Sequence, residues 1–243
     1  MPWDFAAILA FLAIAVPLLG RRRIQQLMRM PQTTKADRLS LYASTVAFQW
    51  IVVVVILWRA TAHRIAASSL GLAMPNAGLV TLVSLVLSGV VLANQVLSLR
   101  RLPQLPKEAQ GILPQLALKV FPQDNVERQA FLAVVATVAI CEELTFRGFA
   151  LQVIQTFLNG SALAGILASS VLFAVAHLYQ GRRGLFATFV VGLIFGVARI
   201  WTGSLIAPIV AHFSADLTAG FFAPKRFRKL AAHRSESIVL TSW

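Results

Sequence analysis

One cysteine, Cys141, is all the chain contains, so no intrachain disulfide can form and cysteine says nothing about the redox compartment. Acids are also scarce: nine Asp and Glu stand against 22 Lys and Arg. Charged residues of both signs make up only 13% of the 243 residues, while hydrophobic residues reach 58% and the mean hydropathy is +0.74. Those proportions exclude an ordinary soluble domain. The chain has no internal repeat, no low-complexity tract and no soluble domain. It lacks an HExxH segment, and no two histidines share a helix face. Its formal charge of +13 is not accompanied by a helix-turn-helix or a basic patch interleaved with aromatics, so no nucleic-acid partner is expected.

What is present is a series of apolar runs, each long enough to approach the roughly 20 residues a helix needs to cross hydrocarbon. Seven are read: Phe5–Gly20, Ala43–Trp58, Ala77–Leu99, Ala130–Phe149 with an extension to Leu158, Ser161–Tyr179, Leu185–Trp201 and Ser204–Ala223. The first is expected to be an uncleaved span, because its basic cluster follows the apolar run and no small-residue cleavage site is evident. The expected fold class is therefore all-α, a polytopic helical membrane protein of about seven transmembrane helices around an intramembrane polar cavity.

The positive charges sit at membrane borders. Arg21, Arg22, Arg23, Arg29, Lys35 and Arg38 follow the first run, and Arg100 and Arg101 end the third. Arg182 and Arg183 follow the fifth, and Lys225, Arg226, Arg228 and Lys229 follow the last. Seven crossings put all four clusters on one side, which the positive-inside rule makes the cytoplasm, with the N-terminus outside. Arg59, Arg64 and Arg199 lie at or near the other side. Anionic lipid headgroups are the expected partners of the basic clusters. The prevalence of Arg over Lys, with abundant alanine, suggests a high-GC bacterium and its inner membrane. The connection 100–128, with Pro103, Pro106 and Pro114, reads as a loop or interfacial segment.

A charged group at bilayer depth costs on the order of 3 kcal/mol on insertion scales, so the ionisable residues inside the runs carry the information. Asp4, Asp37, Glu108, Asp124, Glu127 and Glu236 are read as loop or end residues, whereas Glu142, Glu143 and Asp216 lie within runs. His63 and His233 have polar surroundings; His177 and His212 do not. Glu143 and Arg147 are four apart and form an ion pair on one helix face. Glu142 points about 100° away from that face, without a local counterion, and is the carboxylate suited to handling protons in a wet cavity. His212 and Asp216 also share a face, as do Phe173 and His177. A hairpin turning at Asn159–Ser161 brings Glu142 and His177 to one level, each roughly 26 Å from the turn. His212 and Asp216 enter from the other side at roughly 13 and 20 Å, a looser match that needs helix tilt or a bend near Gly148.

In order along the chain, "EELTFR" (Glu142–Arg147), "FAVAH" (Phe173–His177) and "HFSAD" (His212–Asp216) resemble the EExxxR, FxxxH and HxxxN/D motifs of the CAAX protease and bacteriocin-processing family of intramembrane proteases. The resemblance covers roughly Ala130–Ala223. It implies an intramembrane endopeptidase, a glutamate-based peptide hydrolase, acting on a membrane-delivered protein or peptide. Glu142 would activate water together with His177, His212 with Asp216 would stabilise the oxyanion, and Glu143 and Arg147 would hold the geometry. The chain then divides into N-terminal helices and cytoplasmic loops (1–128), a catalytic helical core (129–223) and a basic cytoplasmic tail (224–243).

Two points stay open in the sequence. Asp216 stands where an asparagine would donate without titrating; it acts either as a neutral donor or as an ionised group orienting His212. No cofactor is expected, with zinc on Glu142, His177, His212 and Asp216 as the competing case. A lone buried histidine is commonly only a packing donor, Cys141 reads as a small apolar residue and Phe173 as a wall. Gly192, Gly196, Ser169, Ser170, Ala174 and Ala207 suit close helix packing, and Pro208 is placed to kink the last run. The alternative function is a non-proteolytic scaffold, immunity or transport protein of the same fold; a transporter would more usually show inverted repeats and broken helices.

Overall fold

A computed structural model describes residues 1–101, 104 and 113–221. Each of the seven apolar runs is helical over most of its described residues. We label the helices α1 (Trp3–Arg29), α2 (Lys35–Ala62), α3 (Ala77–Arg101), α4 (Leu113–Val120), α5 (Asn125–Phe157), α6 (Ala162–Ala176), α7 (Gly181–Thr202) and α8 (Ile206–Phe221). Five of them, α1, α2, α3, α5 and α7 with the turn before it, are long and apolar enough to span a bilayer. Two apolar helices, α6 and α8, are shorter than the roughly 20 residues a perpendicular crossing requires. The protein is an all-α polytopic membrane protein.

The ends of the helices follow from local chemistry. Thr34 and Asp37 form a reciprocal capping box at the start of α2. Asp124 accepts from the Glu127 backbone N–H at the start of α5, and Ser161 does the same for Ala164 in α6. The α5–α6 hairpin turns where expected, with Asn159 and Gly160 both at positive φ. The run Ser161–Tyr179 stops being helical at Ala176: His177 leaves the helix, Leu178–Gln180 form a 3-10 turn, and Gly181 takes φ +76° to start α7. Pro208 does not kink α8. It lies in the first helical turn, where the missing N–H would have met Ser204, and the Ser204 carbonyl accepts from Thr202 Oγ1 instead.

The connection 100–128 is shorter than the sequence suggests, since α4 and the start of α5 fall within it. Lys119 on α4 donates to the carbonyls of Leu27, Met28 and Met30 at the end of α1. Pro103, Pro106 and the basic tail 224–243, with Lys225, Arg226, Arg228 and Lys229, lie outside the described residues.

α6 packs most extensively on α7, and α2 lies along α5. The α6–α7 contact is close because a Cβ on Gly192 would stand 2.9 Å from Ser170 Cβ, and one on Gly196 3.0 Å from an Ile166 methyl. Buried Cys141 belongs to an apolar cluster with Phe5, Val53, Phe149 and Leu205.

Two acids read as end residues prove to be buried. Asp4 accepts from Arg59 Nε at 2.7 Å and lies 2.8 Å from His63 Nε2. Glu127 takes a bidentate pair from Arg38, at 3.0 and 2.8 Å, and a bond from the Gln123 N–H. The partners come from 55 and 89 residues away, which no local pattern could reveal. At the Asp4 end, Arg199 donates to the Ser69 carbonyl. Two of the three basic residues counted against the charge asymmetry are thus neutralised or solvated by protein.

Candidate functional site

The site is built around a change of helical pitch in α5. Regular α-turns end at Glu143, and Leu144–Ala150 wind as a π-helical segment before α-geometry resumes at Leu151. Such a segment inserts a residue and is a known cause of helix bends; it contains Gly148, where a bend is expected. A Cβ on Gly148 would lie 3.0 Å from the Leu70 carbonyl, so the chain passes too close there for a larger residue.

Glu143 and Arg147 form the expected ion pair, Oε1 to Nη1 at 3.0 Å, and both are fully buried. The guanidinium lies 4.0 Å over the ring of Phe173 and 5.5 Å from that of Phe195. Phe173 therefore acts as the wall expected of it, and its ring also meets those of Phe146 and His177.

Glu143 does more than hold Arg147. Its Oε1 also lies 2.8 Å from Nδ1 of His212. A carboxylate only accepts, so Nδ1 of His212 carries a proton and donates it. Within His177, Nδ1 lies 2.9 Å from the carbonyl of Phe173, freed by the end of α6, and likewise donates. Each imidazole is thereby oriented through Nδ1, and each turns Nε2 toward the same place.

That place is Glu142. Its Oε2 lies 3.8 Å from Nε2 of His177 and 4.0 Å from Nε2 of His212, and it is buried without a hydrogen-bond partner. Its other oxygen accepts from Gln49 Nε2 at 3.0 Å. Each of these separations has room for a water roughly 2.8 Å from both Oε2 and the facing Nε2. The three groups brought together are those expected from Glu142, His177 and His212.

Asp216 stands at the edge of this cluster. Its Oδ2 is 3.5 Å from His212 Nε2, beyond a good hydrogen bond, and its side chain is 40% exposed. The shorter contact to His212 comes from Glu143, at Nδ1 rather than Nε2. Gln49 was missed because a neutral amide draws no notice in a search for charges. The signal was its place as the only amide between Ala43 and Trp58.

Among the described residues, no group of three or more His, Cys, Asp or Glu side chains is disposed to hold a metal ion. The edge of a tetrahedral zinc site is about 3.3 Å for ligands at ordinary zinc distances. The carboxylate–imidazole separations of 3.8 and 4.0 Å are wider than that. The residues as placed do not fit a zinc ion.

A carboxylate and two imidazoles from three helical segments thus meet within a helical membrane protein. Residues 126–218 match the Rce1-like family, described as type II CAAX prenyl endopeptidase Rce1-like. The matched segment runs from the first turn of α5 into α8 and includes every motif residue, in agreement with the resemblance read from the three motifs. An Escherichia coli "Uncharacterized 24.3 kDa protein" is 41% identical over 75 residues, 30% of this chain and 35% of that one. The "Uncharacterized protein YpbD" of Bacillus subtilis (strain 168) is 31% identical over 100 residues, 40% of this chain and 47% of that one. The matched region spans between a third and a half of the length of these relatives. No solved structure matches the chain.

Proposed function

We propose that the protein is an intramembrane endopeptidase that hydrolyses a peptide bond of a membrane-associated protein or peptide through a water activated by Glu142 and His177. The observation that carries this reading is the buried, unpartnered Oε2 of Glu142 facing two oriented Nε2 atoms at 3.8 and 4.0 Å. With Nδ1–H given to Phe173, neutral His177 presents a lone pair at Nε2. A water between it and Glu142 donates both protons inward and directs its own lone pair to the substrate carbonyl carbon. As the C–O bond forms, one water proton passes to Glu142 and the carbonyl oxygen becomes an oxyanion.

His212, held by Glu143, is placed to stabilise that oxyanion; with Nδ1–H already donated, its charged form offers a second N–H at Nε2. Collapse of the tetrahedral species breaks the C–N bond, and the proton on Glu142 goes to the leaving nitrogen. The products are a carboxylic acid and an amine, and the side chains return to their starting state. Asp216 borders the substrate side. The core 129–223 would carry the chemistry, and helices from 1–128 would shape the approach for a lipidated C-terminus, a processed precursor or a sorting-signal tail. The favoured setting is a bacterial inner membrane with the N-terminus outside and the C-terminus cytoplasmic.

The test is cleavage of candidate membrane peptides by the protein purified in lipid. Wild type is expected to cleave, with Glu142→Gln and His177→Ala reduced by at least about 100-fold, the scale of lost acid–base catalysis. Retention of full physiological function by Glu142→Gln would point to a scaffold, immunity or transport role instead.

A further inference from the structure

Gln49 belongs to α2, outside the segment that matches the Rce1-like family. Its Nε2 lies 3.0 Å from Oε1 of Glu142, across 93 residues of sequence. Since a carboxylate offers acceptors alone, the amide nitrogen is the donor. A carboxylate at the end of a two-torsion stem swings freely unless one oxygen is fixed. Here the fixed oxygen is Oε1, and fixing it leaves Oε2 as the one facing both imidazoles.

We infer that Gln49 is a positioning residue: it holds one oxygen of Glu142 so that the other stays aimed at His177 and His212, and the site therefore requires a helix beyond its family-matched core. This rests on the hydrolase reading. A merely adhesive role for the amide is poorly motivated, because the α2–α5 contact is already held by other groups. The Arg38–Glu127 pair is bidentate and buried, and Tyr42 packs with Phe131 and Val135. Near the other end of α2, Val53 and Ile56 pack in one cluster with Cys141 and Phe149. Gln49 spends its donor on the one carboxylate whose direction the chemistry depends on.

Gln49→Met, close in shape and without a donor, and Gln49→His, which restores a ring N–H, are compared with wild type in lipid. Loss of a hydrogen bond to a charged group predicts a kcat for Gln49→Met lower by roughly 10- to 100-fold. KM is expected to stay unchanged and Gln49→His to recover part of the loss. An independent readout is the infrared carboxylate band of Glu142, isolated by subtracting the Glu142→Gln spectrum and then measured again in the Gln49→Met background. That band is expected to shift when the donor goes. Wild-type cleavage together with an unshifted band and undiminished turnover in Gln49→Met overturns the inference. So does a loss of folded protein whose surviving fraction keeps the wild-type kcat. A shifted band in a protein that cleaves no peptide supports the hold of Gln49 on Glu142 and removes the peptidase reading alone.

Discussion

Oε1 of Glu143 stands 2.8 Å from Nδ1 of His212 and 3.0 Å from Nη1 of Arg147, so one buried carboxylate oxygen serves both an orienting bond and an ion pair. The two uses are separable. Arg147→Met leaves the buried carboxylate without its guanidinium partner, with only His212 beside it, and is expected to destabilise the fold by about 3–5 kcal/mol. Glu143→Gln strands the guanidinium and is expected to cost a similar amount. The double variant removes both charges and is predicted to recover most of that stability in thermal unfolding. Peptide cleavage should not recover with it, because His212 has still lost its charged acceptor. Recovery of turnover along with stability would show that Glu143 serves the fold alone.

Asp216 is predicted to tolerate asparagine. Its carboxylate is 3.5 Å from His212 Nε2 and 40% exposed, while the orientation of His212 is set from the opposite nitrogen by Glu143. Asp216→Asn keeps the shape and supplies an N–H toward the substrate side. Turnover within a few-fold of wild type is expected, set against the collapse expected for Glu142→Gln. Equal losses in the two variants would contradict this placement.

Exhaustive chelation is expected to leave peptide cleavage intact, since the separations of 3.8 and 4.0 Å around Glu142 suit a shared water better than the edges of a zinc site, about 3.3 Å. The check is activity after dialysis against a strong chelator, followed by zinc addition. Loss on chelation with recovery on zinc would require the three side chains to close by about half an ångström and would replace the water mechanism.

The two ends of the chain's legibility meet at α5. Glu142, His177 and the Asn159–Ser161 turn were readable because helix periodicity and rise are local rules, and together they fix a level in the bundle. His212 was the looser match in depth. The π-helical segment Leu144–Ala150, with Gly148 close against the Leu70 carbonyl, is announced by no composition rule. Asp4 and Glu127 were misread for a related reason: an acid near a membrane border looks solvated until its partner is known, and Arg59 and Arg38 come from distant helices. Gln49 escaped a census restricted to ionisable groups. Hydropathy therefore located the helices and periodicity the motif faces, whereas long-range pairing and neutral donors emerged only in three dimensions.

Stability should depend on acid pH through Asp124, at the border rather than in the bundle. The Glu127 backbone N–H, and after it the Lys35 ammonium at 2.7 Å, hold its carboxyl below the usual carboxylate range. A folded value below the unfolded one means the charged form is favoured by folding. The contribution is complete above the unfolded pKa, near 4, and fades as pH falls through the lowered folded value. Thermal unfolding should separate wild type from Asp124→Asn at neutral pH, and the two midpoints should converge as pH falls through the lowered folded value. A gap that persists unchanged in acid would assign the difference to something other than the charge.

The basic border supplies the last prediction. Arg21, Arg29 and Arg182 line one cavity of about 590 Å³ between the end of α1 and the start of α7, with Ile24, Met28 and Leu185 as apolar walls. No acid lines it, and Tyr179 connects its wall to His177, with ring centroids 5.8 Å apart. Three arginines beside aliphatic side chains are the chemistry expected to hold a phosphodiester headgroup. Reconstituted protein is expected to retain anionic phospholipid over phosphatidylcholine in native mass spectrometry. At about 1 kcal/mol per cation, the Arg21→Gln/Arg29→Gln/Arg182→Gln variant should lose that preference by on the order of 100-fold. Equal retention of both lipids by wild type would leave these arginines as topology markers only. Their displacement by a peptide carboxylate instead would turn the cavity into an entrance for substrate.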